Sequence, residues 1–335
     1  MRESRKLNRR EFLRRAGGMS ASILALSSSL LACGSKDDGK KHLHTKGEVV
    51  VLNCRDARLG RNKYNRKALR KKLDSALMQL TGEKESRLAW RALFSPKDIV
   101  GLKLNCLAGI GLSSTPELVF AVTDALLEIG IPEKNIIIWE RSDRELLRAG
   151  FRLNRSGKGI RIMGTERDYE PQLRIMGSMG SCLSRLFTES TALINIGVVK
   201  DHNLAGATIG MKNLFGIIHN PNKYHFNNCD PYVAELSASK PVRKRLRLII
   251  ADALWAQCHN GPARDDHYRW QADTVIVGLD PVAVDAVGIN MIEERRKKMG
   301  LKSLAEEGRP PKWLKTAEEM GLGVRDLNKI KVVNI

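Results

Sequence analysis

The sequence predicts an α/β protein in which a mainly parallel sheet is flanked by helices. Short apolar runs at 48–53, 98–106, 134–140 and 192–198 have the length of buried strands. Helix-start signals and helically spaced apolar residues lie between them. Because strands that alternate with helices join most readily through right-handed parallel connections, the alternation predicts a single large domain of this class.

The first half of the domain contains the clearest elements. A helix is predicted at 65–80, because five apolar residues there share one face: Leu69, Leu73, Ala76, Leu77 and Leu80. A second helix is predicted from Thr115 to about Ile129, since Thr is a favoured N-cap and the proline after it suits the first turn. Strands are predicted on either side of this helix, at 98–106 and 134–140.

The second half repeats the pattern with variations. The short predicted elements are a helix at 144–149 and a strand at 159–163. The longer predicted strands are 192–198, 245–251, 274–278 and 329–335. The longer predicted helices are 207–215 and 281–298, and a small helical element is predicted within 300–327.

The composition favours an anionic partner other than nucleic acid. The formal net charge is +20 at pH 7, a surplus that attracts phosphates, carboxylates and anionic lipid headgroups. Aromatic residues make up only 5% of the chain and are not interleaved with the basic groups. A nucleic-acid groove needs such aromatic stacking positions, so none is predicted, and an anionic small molecule is the expected partner.

The N-terminal segment predicts export. Residues 8–15, Asn-Arg-Arg-Glu-Phe-Leu-Arg-Arg, resemble a twin-arginine signal, and a weakly apolar run of marginal length for a membrane span follows them. The run ends in a segment similar to a lipobox, in which Cys33 is the predicted lipidation site. The expected organisation is a signal peptide at 1–32, a polar tether at 33–47 and an α/β domain at 48–335.

These segments predict a lipoprotein on the periplasmic side of the cell envelope. The twin-arginine translocase would carry it there, and lipid on Cys33 would hold it to a membrane. Two alternatives stay open, a plain N-terminal anchor helix and cleavage to a soluble product. Since the twin-arginine route exports folded proteins, it also favours a cofactor inserted in the cytoplasm. No iron–sulfur or structural zinc motif is present, because no two cysteines lie within four positions of each other.

One segment in the middle of the domain is the richest in groups that carry chemistry. It contains three of the seven histidines, several lysines and many asparagines. As a metal site, His202, His219 and His225 would bind a divalent transition ion with an aspartate as oxygen ligand. As an anion site, Lys200 and Lys212 would hold a phosphate or carboxylate beside the start of the predicted helix. Both interpretations stay open on the sequence.

Further polar candidates lie where predicted strands end. Ligands of parallel sheets bind beyond the carboxyl ends of the strands, which singles out Lys103, Asn105 and Asn195. The same rule applies to Asp252, which follows the predicted strand at 245–251.

Two carboxylates lie around the start of the last long helix. Asp280 is the expected N-cap, since a proline follows it, and Asp285 lies about one helical turn further on. If they meet Asp252 in one cleft, these carboxylates would act as a general base or as metal ligands.

Four strings of residues resemble one known family. They are Val100–Asn105, Ser114–Val119, Lys-Asn-Leu-Phe-Gly at 212–216, and Asp-Pro-Val-Ala-Val-Asp at 280–285. Together they resemble the domain-of-unknown-function-362 family, and the resemblance covers about residues 48–297. Members of that family often carry twin-arginine signals, and some carry ferredoxin-like iron–sulfur segments. This chain lacks the cysteine runs of such a segment, so the resemblance implies no cluster here and leaves the reaction open.

The resulting expectation is an envelope lipoprotein that binds a divalent transition metal or an anionic cofactor and performs redox or hydrolytic chemistry. The alternatives are capture of an anionic solute for a membrane partner, or a scaffold in the envelope. The catalytic candidates are His202, His219, Asp252 and Asp285. The cofactor-binding candidates are Lys103, Asn105, Asn195, Lys200, Lys212 and Asn213. The metal candidates are His202, His219, His225 and Asp280.

Overall fold

A ten-stranded sheet forms the centre of the computed structural model, which describes residues 46–156 and 158–335. The strands in chain order are β1 (Glu48–Asn53), β2 (Arg58–Gly60), β3 (Lys63–Tyr64), β4 (Val100–Lys103), β5 (Ile136–Glu140), β6 (Arg161–Gly164), β7 (Arg174–Met176), β8 (Met179–Ser181), β9 (Ala192–His202), β10 (Gly206–Thr208), β11 (Leu246–Gln257), β12 (Arg269–Trp270), β13 (Thr274–Gly278) and β14 (Lys331–Asn334). The predicted twin-arginine signal, Cys33 and nearly all of the tether lie outside the described residues.

The strand order of the sheet is β14-β1-β13-β11-β9-β4-β5-β6, with β10 paired to β9 and β12 paired to β11. Strands β11, β9, β4, β5 and β6 are mutually parallel, and β1 is parallel to β14. This arrangement confirms the predicted α/β class with a mainly parallel sheet. Strand β13 is antiparallel to both of its neighbours. It reverses direction because the connection from β11 contains β12 and no helix, whereas a parallel return needs a crossover.

Helices cover both faces of the sheet. In chain order they are α1 (Arg66–Thr81), α2 (Ser86–Leu93), α3 (Pro116–Glu128), α4 (Asp143–Arg148), α5 (Arg185–Glu189), α6 (Tyr232–Ala238), α7 (Lys240–Arg245), α8 (Pro281–Lys298) and α9 (Lys312–Glu319). Successive residues of a strand face opposite sides, so Ile138 of β5 packs in the core with α1 and α3, and Ile137 packs in the core with α8. None of the described helices is long and apolar enough to span a membrane.

Most of the predicted elements are confirmed within a few residues. Helix α1 buries all five apolar residues of the predicted face. The Asn65 side chain caps its start by accepting a hydrogen bond from the amide of Ala68, and Gly82 ends it with a φ of 73°. Helix α8 has the predicted bounds, and the carboxylate of Asp280 accepts from two amides of its first turn.

The helix predicted at 207–215 is wrong. The chain instead forms β10, which pairs back onto β9, and then a 3₁₀ segment, Lys212–Ile217. Between them, the amides of Gly210 and Met211 donate to the carboxylate of Asp285 on α8, at 2.7 and 2.9 Å. These tertiary bonds replace the bonds that a helix would have made locally. The two longest strands also extend further than predicted, so Asp252 lies inside β11.

Candidate functional site

A cavity of about 410 Å³ opens at the carboxyl ends of β4, β5 and β9. Its size falls within the range of small-molecule sites, and its position is the usual one for ligands of parallel α/β sheets. Lys103 and Glu140 are the last residues of β4 and β5, and Lys200 lies near the end of β9. The segment around Lys212 closes the opposite side. Five of the six predicted cofactor-binding residues therefore line one cavity: Lys103, Asn105, Lys200, Lys212 and Asn213. The sixth, Asn195, lies behind it.

Lys200 places a fully buried ammonium group beside this cavity. Its side chain is 0% exposed, and its Nζ donates to the Asn105 Oδ1, a neutral acceptor, at 2.9 Å. Burial lowers the pKa of Lys200 to about 8, although the negative charge of Glu140 opposes the shift. Among residues 46–156 and 158–335, no carboxylate lies within 4.0 Å of this ammonium group.

Lys212 presents a second buried ammonium group to the same cavity. Its Nζ lies 3.1 Å from the His225 Nε2 and 4.0 Å from the centroid of the Phe215 ring. Both neighbours are uncharged, and burial lowers the pKa of Lys212 to about 8. In the described part of the chain this lysine, too, has no carboxylate at ion-pair distance.

Lys103 is different, because it has a charged partner. Its Nζ lies 2.7 Å from the Glu140 Oε1, and both side chains are buried. The Glu140 carboxylate also accepts from the amides of Cys106 and Arg141, at 3.0 and 2.8 Å. Gly216 lets this pair lie against the backbone, because a Cβ atom there would approach the Lys103 Nζ to 2.6 Å. Lys103 and Glu140 therefore line the cavity with opposite charges that neutralise each other.

Three asparagine side chains form a directed chain of hydrogen bonds behind the cavity. Asn105 accepts from Lys200 and donates through Nδ2 to the Asn213 Oδ1 at 3.2 Å. Asn213 donates to the Asn195 Oδ1 at 2.7 Å, and Asn195 donates to the carbonyl of Gly210 at 2.7 Å. Each amide is thus fixed in orientation, and the chain ties β9 to the segment that carries Lys212. Asn195 is fully buried, and its contribution to the cavity is to orient the Asn213 side chain.

Two of the three predicted histidines line the cavity, and both are neutral at pH 7. The rings of His202 and His225 stack with centroids 5.5 Å apart. Burial, followed by the positive charge of Lys212, lowers the pKa of His202 to about 2 and that of His225 to about 4. The Nδ1 of His202 accepts from the amides of Leu204 and Ala205, at 3.1 and 3.3 Å. The proton of the neutral His202 ring is therefore on Nε2, which makes this atom a donor.

This hydrogen bonding differs from that of a metal ligand. A histidine that binds metal through one nitrogen usually donates the proton of the other to an acceptor. His202 shows the reverse pattern, and the Nε2 of His225 already faces the ammonium group of Lys212. Among the described residues, no group of three or more His, Cys, Asp or Glu is placed to hold a metal ion.

The remaining metal candidates lie elsewhere. His219 is exposed, and its Nδ1 accepts from the amide of Cys182 at 3.1 Å. Asp280 caps α8 and also accepts from the amides of Gly47 and Val324, at 2.9 and 3.0 Å. Neither side chain lines the cavity. The structure therefore does not bring together the four residues predicted as metal ligands.

The predicted catalytic aspartates are also outside the cavity, because backbone amides occupy their oxygens. Asp252 accepts from the amides of Thr115 and Leu254, at 2.7 and 2.9 Å, and burial raises its pKa to about 6. Asp285 is fully buried, and burial raises its pKa to about 7. Its oxygens hold the loop that precedes Lys212. Asp285 thus positions a segment that borders the cavity, whereas Asp252 holds the residue before α3 and its own strand.

The cavity residues that were not predicted include Arg141, Glu145 and Thr208. Arg141 directly follows β5, so the strand-end rule would have found it. Glu145 lies on α4, and burial with the nearby charge of Glu140 raises its pKa. Thr208 was missed because the segment that contains it was predicted as a helix and forms β10 instead. Its Oγ1 is buried, lines the cavity, and has no hydrogen-bond partner among the described residues.

Comparison with known proteins places the chain in a family. No curated protein matches it. A crystal structure of a protein from Thermotoga maritima shares 11% identity with a TM-score of 0.41, and the match covers 68% of this chain and 59% of that one. The family model described as "Domain of unknown function (DUF362)" matches residues 100–290, more than half of the chain. The matched span contains every described residue that lines the cavity, and the chain belongs to the DUF362 family.

Proposed function

We propose that the protein binds a small anionic molecule, one that carries a phosphate or carboxylate group, in the cavity at the carboxyl ends of β4, β5 and β9. The observation that carries this proposal is the pair of buried ammonium groups, Lys200 and Lys212, that line one cavity without a carboxylate partner in the described chain. Removing a charge from water costs several kcal/mol unless an opposite charge compensates for it. An anionic ligand supplies that charge.

Several neutral donors add to the two lysines. The Thr208 hydroxyl is buried and unpartnered among the described residues, and the Nε2 of His202 carries a proton. Arg141 contributes another positive charge to the cavity lining. Hydrogen bonds to charged groups are about twice as strong as neutral ones, so these donors suit an oxyanion. A metal ion at the same place would instead contact the ammonium groups of the lysines and the protonated Nε2 of His202, which are not metal ligands.

The cellular setting of this binding is part of the proposal. The twin-arginine-like residues 8–15 and the lipobox-like segment that contains Cys33 favour capture of the anion on the periplasmic side of the envelope. Radiolabelled palmitate and membrane fractionation would test this setting. Wild type should incorporate label and sediment with membranes, and Cys33→Ala should do neither. Label in the variant, or none in wild type, would contradict lipidation at Cys33.

Acid–base catalysis on the bound anion is a second candidate. It is favoured by the lowered pKa values of Lys200 and Lys212, both about 8, because a lysine with such a pKa gives up its proton more easily near neutral pH than an ordinary lysine does. The raised pKa of Glu145 in the same cavity provides a complementary acid. Turnover of a bound phosphate ester would support catalysis, and saturable binding without turnover would support capture alone.

Titration calorimetry with the purified protein would test the binding proposal directly. The ligands would be phosphate, sulfate and short carboxylates at pH 7. We expect Lys200→Met and Lys212→Met each to weaken binding at least about tenfold, because each removes one buried charge. Lys223→Met is the matched control, since this lysine is exposed on the same segment and should bind like wild type. Saturable binding that survives in the Lys200→Met/Lys212→Met double variant would contradict the proposal.

A further inference from the structure

The entrance of the cavity is more apolar than its interior. Large hydrophobic side chains stand there in contact with solvent: Leu107 is 45% exposed and Leu204 is 48% exposed, and both line the cavity. Pro262 lines the cavity as well. Exposed apolar residues gathered at a binding site mark a surface that a ligand covers. The cavity therefore combines a basic interior with an apolar entrance.

An open groove of about 640 Å³ continues from this entrance. It shares Leu107 and Pro262 with the cavity, and it is lined further by Ala108, Ile110 and Ala263. Ile110 is 53% exposed within it. The shared residues make the cavity and the groove one continuous depression. Its inner end is basic, and its outer part carries exposed apolar side chains beside the charged residues Arg148, Arg264 and Asp266.

Two of the three charged residues that line the groove, Arg264 and Asp266, form an ion pair, and the third, Arg148, is exposed to solvent. Arg264 forms two hydrogen bonds of 2.8 Å to the carboxylate of Asp266. Its third bond, of 2.8 Å, goes to the carbonyl of Ile110 and fixes one wall of the groove. The amide of Ile110 donates to the carbonyl of Arg148 at 3.0 Å, which fixes the same loop from the other side. The exposed position of Ile110 is thus held by the fold.

We infer that the ligand is an amphiphilic anion whose charged head group occupies the cavity and whose alkyl or acyl portion lies in the groove. This inference rests on the proposed function, since the head group is the anion held by Lys200 and Lys212. A compact ion such as free phosphate would leave Leu107 and Ile110 exposed. An attached apolar chain covers them, and the two parts of the ligand match the two parts of the depression.

A chain-length series tests this inference. Binding of methyl, butyl and hexyl phosphate, and of acetate, pentanoate and heptanoate, would be measured by calorimetry with the purified protein below micelle concentrations. We expect affinity to rise about twofold for each added methylene in wild type, because the open groove buries part of each group. In an Ile110→Ser variant, which changes a groove residue outside the cavity, the increase should be clearly reduced while methyl phosphate binds as before. A Leu59→Ser/Leu173→Ser variant is the matched control, since these exposed leucines lie outside the cavity and the groove, and it should keep the increase.

The outcomes separate the two proposals. Equal affinity across both series in wild type would overturn the amphiphile inference and leave the anion site intact. An increase as steep in the Ile110→Ser variant as in wild type would overturn the assignment to this groove. Failure of every anion in both series to bind would overturn the proposed function together with the inference.

Discussion

Two neighbouring residues of β9 show two ways in which a protein buries charge. Lys200 and Asp201 are both 0% exposed, and successive strand residues face opposite sides of the sheet. Lys200 donates to a neutral amide and has no carboxylate at ion-pair distance in the described chain. Asp201 lies 2.7 Å from the Arg309 guanidinium and accepts from the amide of Gly261 at 2.9 Å.

The surroundings of Asp201 form a paired network. Arg296, which is 0% exposed, lies 3.6 Å from Asp201 and 2.5 Å from Glu307. Arg296 also donates to the carbonyls of Cys258 and Lys302, each at 2.8 Å. Here each buried charge has an opposite charge or an acceptor within the protein. The comparison teaches that a buried charge points to a ligand only where the protein itself leaves it unpaired.

The largest expected effect comes from breaking the ion-pair network around Asp201. Asp201→Ala leaves Arg296 and Arg309 without this carboxylate, and removing one partner of a buried ion pair typically costs about 3–5 kcal/mol. Urea unfolding of the purified protein should show a loss of stability of this size. Lys200→Met is the matched variant on the adjacent residue. It should unfold within about 1 kcal/mol of wild type, because it removes a charge that has no charged partner. A loss of 3 kcal/mol in Lys200→Met would remove the distinction between the two regions.

The second prediction concerns pH and sharpens the distinction. The pKa values of Lys200 and Lys212, about 8 in the fold, lie below the ordinary value of 10.5. As pH rises through 8, these lysines lose charge, so affinity for sulfate should fall about tenfold between pH 7 and 9. Sulfate itself does not titrate in this range. Lys200→Met should show a shallower fall, and an affinity that is flat with pH in wild type would contradict the prediction.

The same pKa values predict that the stability of the ligand-free protein rises with pH, whereas its affinity for sulfate falls. Between about pH 8 and 10.5 the unfolded chain binds more protons at these two lysines than the folded chain does. The stability of the ligand-free protein therefore gains a contribution that rises with pH through this window. Comparing unfolding of wild type with Lys200→Met/Lys212→Met at pH 7.5 and 9.5 isolates it, since the stability of wild type relative to the variant should rise at the higher pH.

The smallest expected effect concerns one hydroxyl. Thr208→Val removes the unpartnered Oγ1 and should weaken anion binding about fivefold, the value of a typical hydrogen bond, with stability unchanged or slightly higher. Thr123→Val is the matched control, because the Thr123 hydroxyl donates to the carbonyl of Phe120 at 2.8 Å. It should lose about 1 kcal/mol of stability and bind anions normally. Unchanged binding in Thr208→Val would place this hydroxyl outside the site.

The sequence by itself determined the elements whose signals are local. The apolar stripe predicted α1, and Asp280 with the following proline predicted the start of α8. The rule that ligands bind at the carboxyl ends of parallel strands also led to Lys103 and Lys200. These signals work because capping, periodicity and strand direction depend on residues close together in the chain.

Only the tertiary structure decided which polar groups are left for a ligand. Asp252 and Asp285 resemble Lys200 in the sequence, as charged residues in or next to buried elements, yet backbone amides from distant loops occupy their oxygens. The proton position of His202 follows from the amides of Leu204 and Ala205, which reach its Nδ1 in the folded loop. Burial and hydrogen-bond pairing depend on contacts between remote segments, and these contacts decided which of the predicted site residues line the cavity and which hold the backbone.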